Sequence, residues 1–249
     1  MSASPFSLEG KTALVTGANT GLGQGIALGL AGAGADIIAV GRSAPTDTQA
    51  QVEALGRRFR AISADLSSTA PIAGLVEEAG LVDILVNNAG IIRRADALDF
   101  SEDDWDAVID TNLKSAFFLT QAVARRWAAD GRGGKVINIV SMLSFQGGVR
   151  VPSYTASKSG LAGLTKLLAN EWAAEGINVN AIAPGYFETN NTEALRADEN
   201  RNRQIMERIP AGRWGRPEDL AGAAVFLASA ASDYVHGTIL AVDGGWLAR

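Results

Sequence analysis

Short runs of β-branched and apolar residues alternate along the chain with longer stretches in which apolar residues recur every three or four positions. Residues 12–16, 37–40, 84–86, 136–139, 179–182 and 239–242 read as strands. Most are nearly continuous apolar runs, the pattern of strands covered by helices on both faces. Helical patterns lie between them. One spans about residues 21–30. A second starts after Ser101, where Glu102, Asp103 and Asp104 place negative charge in the first turn, as the helix dipole favours. A third runs from Tyr154 to about Ala174, with Leu161, Leu164, Leu168 and Trp172 as one buried stripe. This alternation predicts a single α/β domain over residues 1–249, a doubly wound parallel sheet with helices on both faces.

One segment breaks the rhythm. Residues 186–213 are polar, carry Asn190-Asn191 and several charges, and sit between two clear elements. A loop of this length in a compact domain usually serves function, so the segment is expected to be a substrate lid. The alternative is a plain pair of surface helices.

Composition narrows the chemistry. The 249 residues are 47% apolar and 20% charged, which suits one buried domain. A net charge of −5 gives no general reason to expect nucleic acid or an anionic membrane as partner. No run approaches the roughly 20 apolar residues of a membrane span. Residues 1–9 lack a basic stretch followed by an apolar one, so the expected address is the cytoplasm. There is no cysteine, which excludes disulfides and thiol catalysis. With His236 the one histidine, a zinc site would fall almost wholly to carboxylates, which zinc rarely accepts. No metal is expected, and His236, just before the last strand, reads as structural.

The first strand runs into Thr16-Gly17-Ala18-Asn19-Thr20-Gly21-Leu22-Gly23 and then a helix. Gly17 allows the tight turn, Gly21 lets a pyrophosphate approach the backbone at the helix N-terminus, and Gly23 permits close packing. The spacing is G-x-x-x-G-x-G, and its place between strand and helix points to a dinucleotide. The second strand ends at Gly41-Arg42. An acidic residue there would bind the ribose 2′-hydroxyl; Gly41 is not acidic, and Arg42 can pair with a 2′-phosphate. That favours NADP on charge, against a merely exposed arginine. Asp65, after the third strand of such a unit, is either an acceptor for the adenine amino group or a helix N-cap.

Carbonyl reduction without a metal needs a proton donor. Tyrosine, with a pKa near ~10, is poorly suited alone, but a nearby ammonium favours the phenolate. Tyr154 and Lys158 stand at i and i+4 on one helix face. Ser141 ends the preceding strand, and Asn112 is polar in an apolar neighbourhood. Each has a bland reading alone: a chance pair, a turn, a satisfied backbone. The combination, in this order and on these elements, is what carries weight.

Over nearly its whole length the chain resembles the short-chain dehydrogenase/reductases. The glycine motif is seen at residues 16–23, Asn-Asn-Ala-Gly at residues 87–90, Tyr-x-x-x-Lys at Tyr154 and Lys158, Pro-Gly at Pro184-Gly185, and the terminal motif at residues 242–245. The resemblance implies a Rossmann fold. It gives Tyr154 the proton exchange, and Lys158 the lowering of its pKa and the hold on the nicotinamide ribose. Ser141 takes the carbonyl oxygen, and Asn112 a water that links Lys158 to solvent. It further implies nucleotide contacts from Gly17, Asn19, Thr20, Gly21, Leu22, Gly23, Arg42, Asp65, Leu66, Asn87, Ala89, Gly90, Tyr154, Lys158, Pro184, Gly185, Phe187 and Thr189, and a homotetramer.

Less general stretches resemble one branch of that family, the 2-dehydro-3-deoxy-D-gluconate 5-dehydrogenases, also called 2-deoxy-D-gluconate 3-dehydrogenases. They are SPFSLEGK (residues 4–11), GLGQG (21–25), IIRR (91–94), SMLSFQGG (141–148), VPSYTASKSG (151–160), Asn190-Asn191-Thr192 and IPAGRWG (209–215). The branch implies a deoxy-ketoaldonate substrate and NAD, so NAD and NADP both stay open. Gluconate 5-dehydrogenases, uronate-derived ketoaldehyde reductases and 3-oxoacyl carrier-protein reductases are the related alternatives. A non-catalytic dinucleotide sensor is the alternative of another class, against which the intact Ser141, Tyr154 and Lys158 argue. An aldonate carboxylate calls for a bidentate arginine. Arg93 and Arg150 flank the expected site and are the candidates, against a solvent-facing role for each. Gln146, Asn190 and Asn191 can bond sugar hydroxyls, while Phe145 and Trp214 wall the site or fill the core.

Overall fold

A computed structural model describes residues 4–249. The first three residues of the expected domain and of the N-terminal stretch lie outside the described residues. Among the described residues there are seven strands: β1 (Thr12–Thr16), β2 (Asp36–Gly41), β3 (Phe59–Ser63), β4 (Ile84–Asn87), β5 (Gly134–Ile139), β6 (Ile177–Pro184) and β7 (Ile239–Val242). The α-helices are α1 (Gly21–Gly32), α2 (Thr46–Ala54), α3 (Ile72–Ala79), α4 (Glu102–Ile109), α5 (Ser115–Ala129), α6 (Pro152–Trp172), α7 (Glu193–Ala197), α8 (Glu199–Arg208) and α9 (Ala221–Ala228). All strand pairs are parallel, in the order β3-β2-β1-β4-β5-β6-β7. This is the doubly wound sheet that the pattern predicts.

Successive strand residues point to opposite faces, and both faces are buried. Along β1, Ala13 and Val15 join one core with Ile26 and Leu30 of α1 and Leu227 of α9. Leu14, between them, joins the other with Leu75 of α3, Leu119 of α5 and Leu168 of α6. Each large aliphatic side chain so buried stabilises the fold by about 1.5–3 kcal/mol. Ser101 caps α4, its hydroxyl accepting from Asp104 N at 3.2 Å ahead of the acidic first turn.

The strand order reverses between β1 and β4, and ligands of such sheets bind in the crevice beyond the carboxyl ends of the strands. Three local features shape that crevice. A π-helical turn, Asp110–Lys114, joins α4 to α5 and contains Asn112; such turns often mark functional sites. A short 3-10 turn, Met142–Ser144, follows β5. The third is the segment 186–213, which is mostly helical: α7 and α8 are joined by Asp198, whose carboxylate caps α8 by accepting from Asn200 N and Arg201 N. Ile205, Ile209 and Trp214 pack with Met142 and Trp246 into a small apolar cluster of their own. The long polar loop expected here is therefore a helix pair, because its apolar residues Ile205 and Ile209 find a local core.

Candidate active site

At the nucleotide end the glycines meet specific constraints. Gly17 has φ +67° and Gly21 φ +58°, backbone that side chains disfavour. A Cβ on Gly23 would lie 2.2 Å from Gly17 O and 2.4 Å from Asn88 Nδ2. Asn88 uses that space: its amide donates to Thr16 O at 2.9 Å and Gly17 O at 3.1 Å. Thr16 Oγ1 accepts in turn from Asn88 N and Ala89 N. Asn88 thus locks the turn to β4, a role the sequence reading left unassigned. The adjacent α1 N-terminus has no side-chain cap and no acidic residue in its first turn, which leaves its first N–H groups available to an anion.

Beyond β2 lies a cavity of about 370 Å³, lined among others by Asn19, Gly41, Arg42, Pro45 and Gln49. Arg42 is exposed there. Asp65 is exposed too, and accepts from Ser67 N at 3.0 Å. That bond, ahead of a smaller contribution from Arg42, holds its carboxyl below the usual value. It closes a local turn and does not cap α3, which starts seven residues on. Leu66 is buried beside it. Thr20 and Leu22 sit at the mouth of the glycine turn. Asn87 is buried, its amide donating to Thr120 Oγ1 and Asn138 Oδ1, both at 2.8 Å. Phe187 is buried in the core, and Gly215 leaves room for its ring. Gly185 N donates to Val242 O at 3.0 Å and holds the Pro184-Gly185 bend to β7. Thr189 comes within 3.4 Å of where a Cβ on Gly21 would stand.

The catalytic candidates converge. Lys158 is buried, and its Nζ donates to Ile139 O at 2.6 Å. It lies 5.7 Å from the centroid of the Tyr154 ring. Gly90 presses against both partners of this corner: a Cβ there would be 3.1 Å from Asn112 Oδ1 and 3.7 Å from Lys158 Nζ. Asn112 is 1% exposed. Its Oδ1 accepts from Ile91 N at 2.8 Å, and its Nδ2 donates to Ile91 O at 2.9 Å and Ser157 Oγ at 3.3 Å. Ser141 is buried at the end of β5 and accepts from Leu143 N at 3.2 Å, so it also caps its turn.

Burial raises the pKa of Tyr154, while the Ser141 side chain and Arg94 pull it down. Burial also brings Lys158 itself down to about 8, because the ammonium loses water and gains one carbonyl.

At the substrate end the structure redistributes the arginines. Arg93 pairs with Asp104 at 3.0 Å and Arg150 with Asp96 at 3.2 Å, both as exposed surface bridges. Each guanidinium is turned to a neighbouring carboxylate. Arg94 is oriented differently. It donates to Asn191 O at 3.2 Å and acts on Tyr154 and on Tyr186. Tyr186 has its pKa raised by burial and lowered by Arg201, Arg208 and Arg94. It packs edge-on against Trp214 and Trp246, with centroids 5.4 and 4.8 Å away. Gln146 Oε1 accepts from Trp246 Nε1 at 3.3 Å and meets Arg208 at 3.5 Å. Asn190 and Asn191 are exposed on the turn before α7. Phe145 is half exposed, whereas Trp214 is buried in the small cluster, bonded to Asn202 at 2.8 Å. His236 Nε2 lies 3.2 Å from Asn178 Nδ2, on the approach to β7.

A glycine cradle, an uncapped helix end, and a tyrosine, lysine and serine beyond the strands match known proteins over nearly the full chain. The family model described as enoyl-(acyl carrier protein) reductase matches residues 17–247. The chain belongs to the short-chain dehydrogenase/reductase family. It is 64% identical over 250 residues to a 2-dehydro-3-deoxy-D-gluconate 5-dehydrogenase of Escherichia coli K12, covering 99% of each chain. An Agrobacterium tumefaciens structure with bound NADP, named provisionally as a 2-deoxy-D-gluconate 3-dehydrogenase, shares 67% identity at a TM-score of 0.95, covering 99% of this chain and 100% of that one. A Burkholderia cenocepacia gluconate 5-dehydrogenase in complex with NADP and tartrate is 41% identical at a TM-score of 0.93, with 98% of each chain covered. As a short-chain dehydrogenase/reductase this chain is an NAD(P)-dependent oxidoreductase acting on CH–OH groups. Its cradle fits that cofactor, since a side chain on Gly23 would destroy the turn and the N-terminus of α1 is left without a cap.

Proposed function

We propose that this enzyme interconverts a deoxy-ketoaldonate and its diketo form, as a 2-dehydro-3-deoxy-D-gluconate 5-dehydrogenase. One observation carries the reading. Three arginines, Arg94, Arg201 and Arg208, act on Tyr186, and Arg94 acts on Tyr154 as well. Among the described residues none of the three is within ion-pair distance of a carboxylate. Arg94 near the acid/base tyrosine, with Arg201 and Arg208 around Tyr186, offers cations that suit a small hydroxy acid.

The roles follow from position. NAD(P), when bound, supplies or takes up the hydride. Tyr154 passes the proton to or from the carbonyl oxygen, and Ser141 donates to that oxygen. Lys158 holds the ribose side and keeps positive charge near the phenol, with Asn112 as its route to solvent. Arg94 orients the carboxylate, and Gln146, Asn190 and Asn191 meet sugar hydroxyls. The helix pair in 186–213 serves as the lid, tied to the body by Arg94 and Arg208. Exposed Trp105 on α4, Phe118 on α5 and Leu167 on α6 support a homotetramer. The cytoplasm is the proposed site of action; among the described residues no helix is long and apolar enough to cross a membrane.

The test is steady-state turnover with both cofactors over deoxy-ketoaldonates, aldonates and the matching neutral ketones. The reading expects kcat/KM highest for a deoxy-ketoaldonate and at least about tenfold lower once the carboxylate is removed, the loss of one charge-assisted contact. Equal turnover of acid and neutral ketone refutes it.

A further inference from the structure

Trp246, in the segment after β7, has no part in the roles assigned above. Two consecutive glycines turn the chain towards it, Gly244 at φ +65° and Gly245 at φ +89°, a course that side chains disfavour. Asp243 holds this turn: its Oδ1 accepts from Gly245 N at 2.8 Å and its Oδ2 from Leu247 N at 2.9 Å. The turn is docked just beyond α8, where Ala211 N donates to Gly244 O at 3.0 Å. The indole is thereby buried in the small apolar cluster that also holds Met142 and Ile205. Met142 follows Ser141 directly and Ile205 is on α8, so this one cluster joins the serine turn to the helix pair.

The polar edge of the indole is more specific than its packing. Nε1 donates to Gln146 Oε1 at 3.3 Å. The Arg208 guanidinium lies 4.1 Å from the centre of the Trp246 ring, and its Nη2 meets the same Gln146 oxygen at 3.5 Å. Indole and guanidinium are donors only. Two donors on one side decide which end of the amide faces them: the oxygen turns to Trp246 and Arg208, and Nε2 turns away. Among the described residues Nε2 donates to no protein group, and Gln146 is half-buried. Its two N–H groups are therefore free for an acceptor from outside the chain. The loop that carries them belongs to the chemistry, since Gln146 N donates to Met142 O at 3.3 Å and Ser144 Oγ to Lys158 O at 2.8 Å.

We propose that Trp246 is a positioning residue for substrate selection: its indole N–H orients Gln146 so that the amide offers donors, and not its carbonyl, to the substrate. The proposal rests on the reading above, in which Gln146 meets the sugar acid. A fixed donor suits carboxylate and keto oxygens, which accept and cannot donate. The same indole holds Arg208 by its face, so the orientation of Gln146 and the seating of α8 depend on one side chain. Trp246 acts through Gln146 and does not itself touch the substrate.

The test is steady-state kinetics on whichever ketone the unmodified enzyme turns over best, so that it does not hang on the deoxy-ketoaldonate. Trp246→Phe removes the N–H and keeps a ring under Arg208. KM for the ketone should rise about threefold to tenfold, the loss of one neutral hydrogen bond, with kcat and NADPH affinity within about twofold. Gln146→Leu should do the same, and the double variant Trp246→Phe/Gln146→Leu should be no worse than Gln146→Leu alone, because the indole works through the glutamine. Gln146→Glu keeps an acceptor for Trp246 and Arg208 but puts an oxygen where the donors were, and should raise KM for an acid substrate at least about tenfold. Urea midpoints check that each variant folds. An unchanged KM in Trp246→Phe, additive losses in the double variant, or a parallel loss of NADPH affinity each overturn the proposal. Equal turnover of acid and neutral ketone strikes the substrate reading instead, and leaves the coupling between Trp246 and Gln146 to be read on the neutral ketone.

Discussion

The two ends of the crevice are built by opposite means. At the nucleotide end the working groups are main-chain atoms and absent side chains. Gly17, Gly23, Asn88 and Thr16 lock one another into a turn within a few residues of β1 and β4. At the proposed sugar-acid end the groups are long side chains from three separate places: Arg94 after β4, Gln146 after β5, and Arg201 and Arg208 on α8. The first end is fixed by sterics, since an added atom at Gly23 would sit 2.2 Å from a carbonyl oxygen. The second is fixed by charge and by a small aromatic cluster, and it tolerates change more readily. A shared cofactor needs one geometry. A variable substrate is served better by arginines on a rim than by backbone.

Between the two ends stands the proton-transfer group, and the largest effects are expected there. Tyr154→Phe removes the one exchangeable proton and keeps the ring. We expect kcat to fall at least about 10³-fold, within the range for loss of general acid–base catalysis, with NADPH affinity kept within about twofold. Retained activity in this variant would show that proton transfer lies elsewhere. Lys158→Met gives a loss of similar size with an opposite sign in stability. Burial holds Lys158 at about 8 against 10.5 in the open chain, a disfavoured charge worth about 3 kcal/mol. The folded pKa is the lower one, so the unfolded chain binds more protons between pH 8 and 10.5, and this group's penalty is full below pH 8 and relieved as pH rises through that window. Ile139 O loses its donor in the variant, which returns part of the gain. A net stabilisation of about 1–2 kcal/mol at pH 7 is expected, read as a higher urea midpoint, with the advantage over the unmodified enzyme shrinking towards pH 10. A lower midpoint at pH 7 would mean that the lysine stabilises the fold.

These contrasts explain what the sequence displays and what it hides. The glycine turn, Ser141, Tyr154 and Lys158 are legible because their spacing is set by local geometry, a strand-to-helix turn and one face of α6. Strands at the sheet centre are legible because both faces are buried; β1 and β4 are apolar almost throughout. β3 escapes the pattern because it is an edge strand in which only Ile62 is buried and Arg60 is exposed. The helices within 186–213 escape because α8 carries a single buried residue, Ile205. Arg94 escapes for a different reason. Adjacent to Arg93 in the sequence, it points another way, and only the fold turns Arg93 to Asp104 and Arg94 to Asn191 and the tyrosines.

The arginines give the next, smaller effects. Arg94→Ala should raise KM for the carboxylate substrate about 10- to 100-fold, the range of a lost charge-assisted pair, with a lesser effect on the neutral ketone. Arg93→Ala and Arg150→Ala break exposed bridges worth about 0–1 kcal/mol, and KM should stay within about threefold. Equal effects at Arg93 and Arg94 would erase the distinction drawn between neighbours in sequence.

The smallest effect tests whether the nucleotide end is wholly a matter of backbone. Arg42 is its exception, an exposed side chain beside the cavity that follows β2. No acidic residue follows that strand to repel a 2′-phosphate, because the position is Gly41. Arg42 is also in water, so its contribution is screened. Arg42→Ala should weaken NADPH by about three- to tenfold and leave NADH within about twofold, and the NADPH penalty should shrink as salt rises from 0.05 to about 0.5 M. Titration of each reduced cofactor by its fluorescence reads both numbers. If both cofactors weaken alike, Arg42 supports the fold around the cavity and carries no phosphate selectivity. The two ends of the crevice would then differ more sharply, with no phosphate-selective cation at the adenosine ribose.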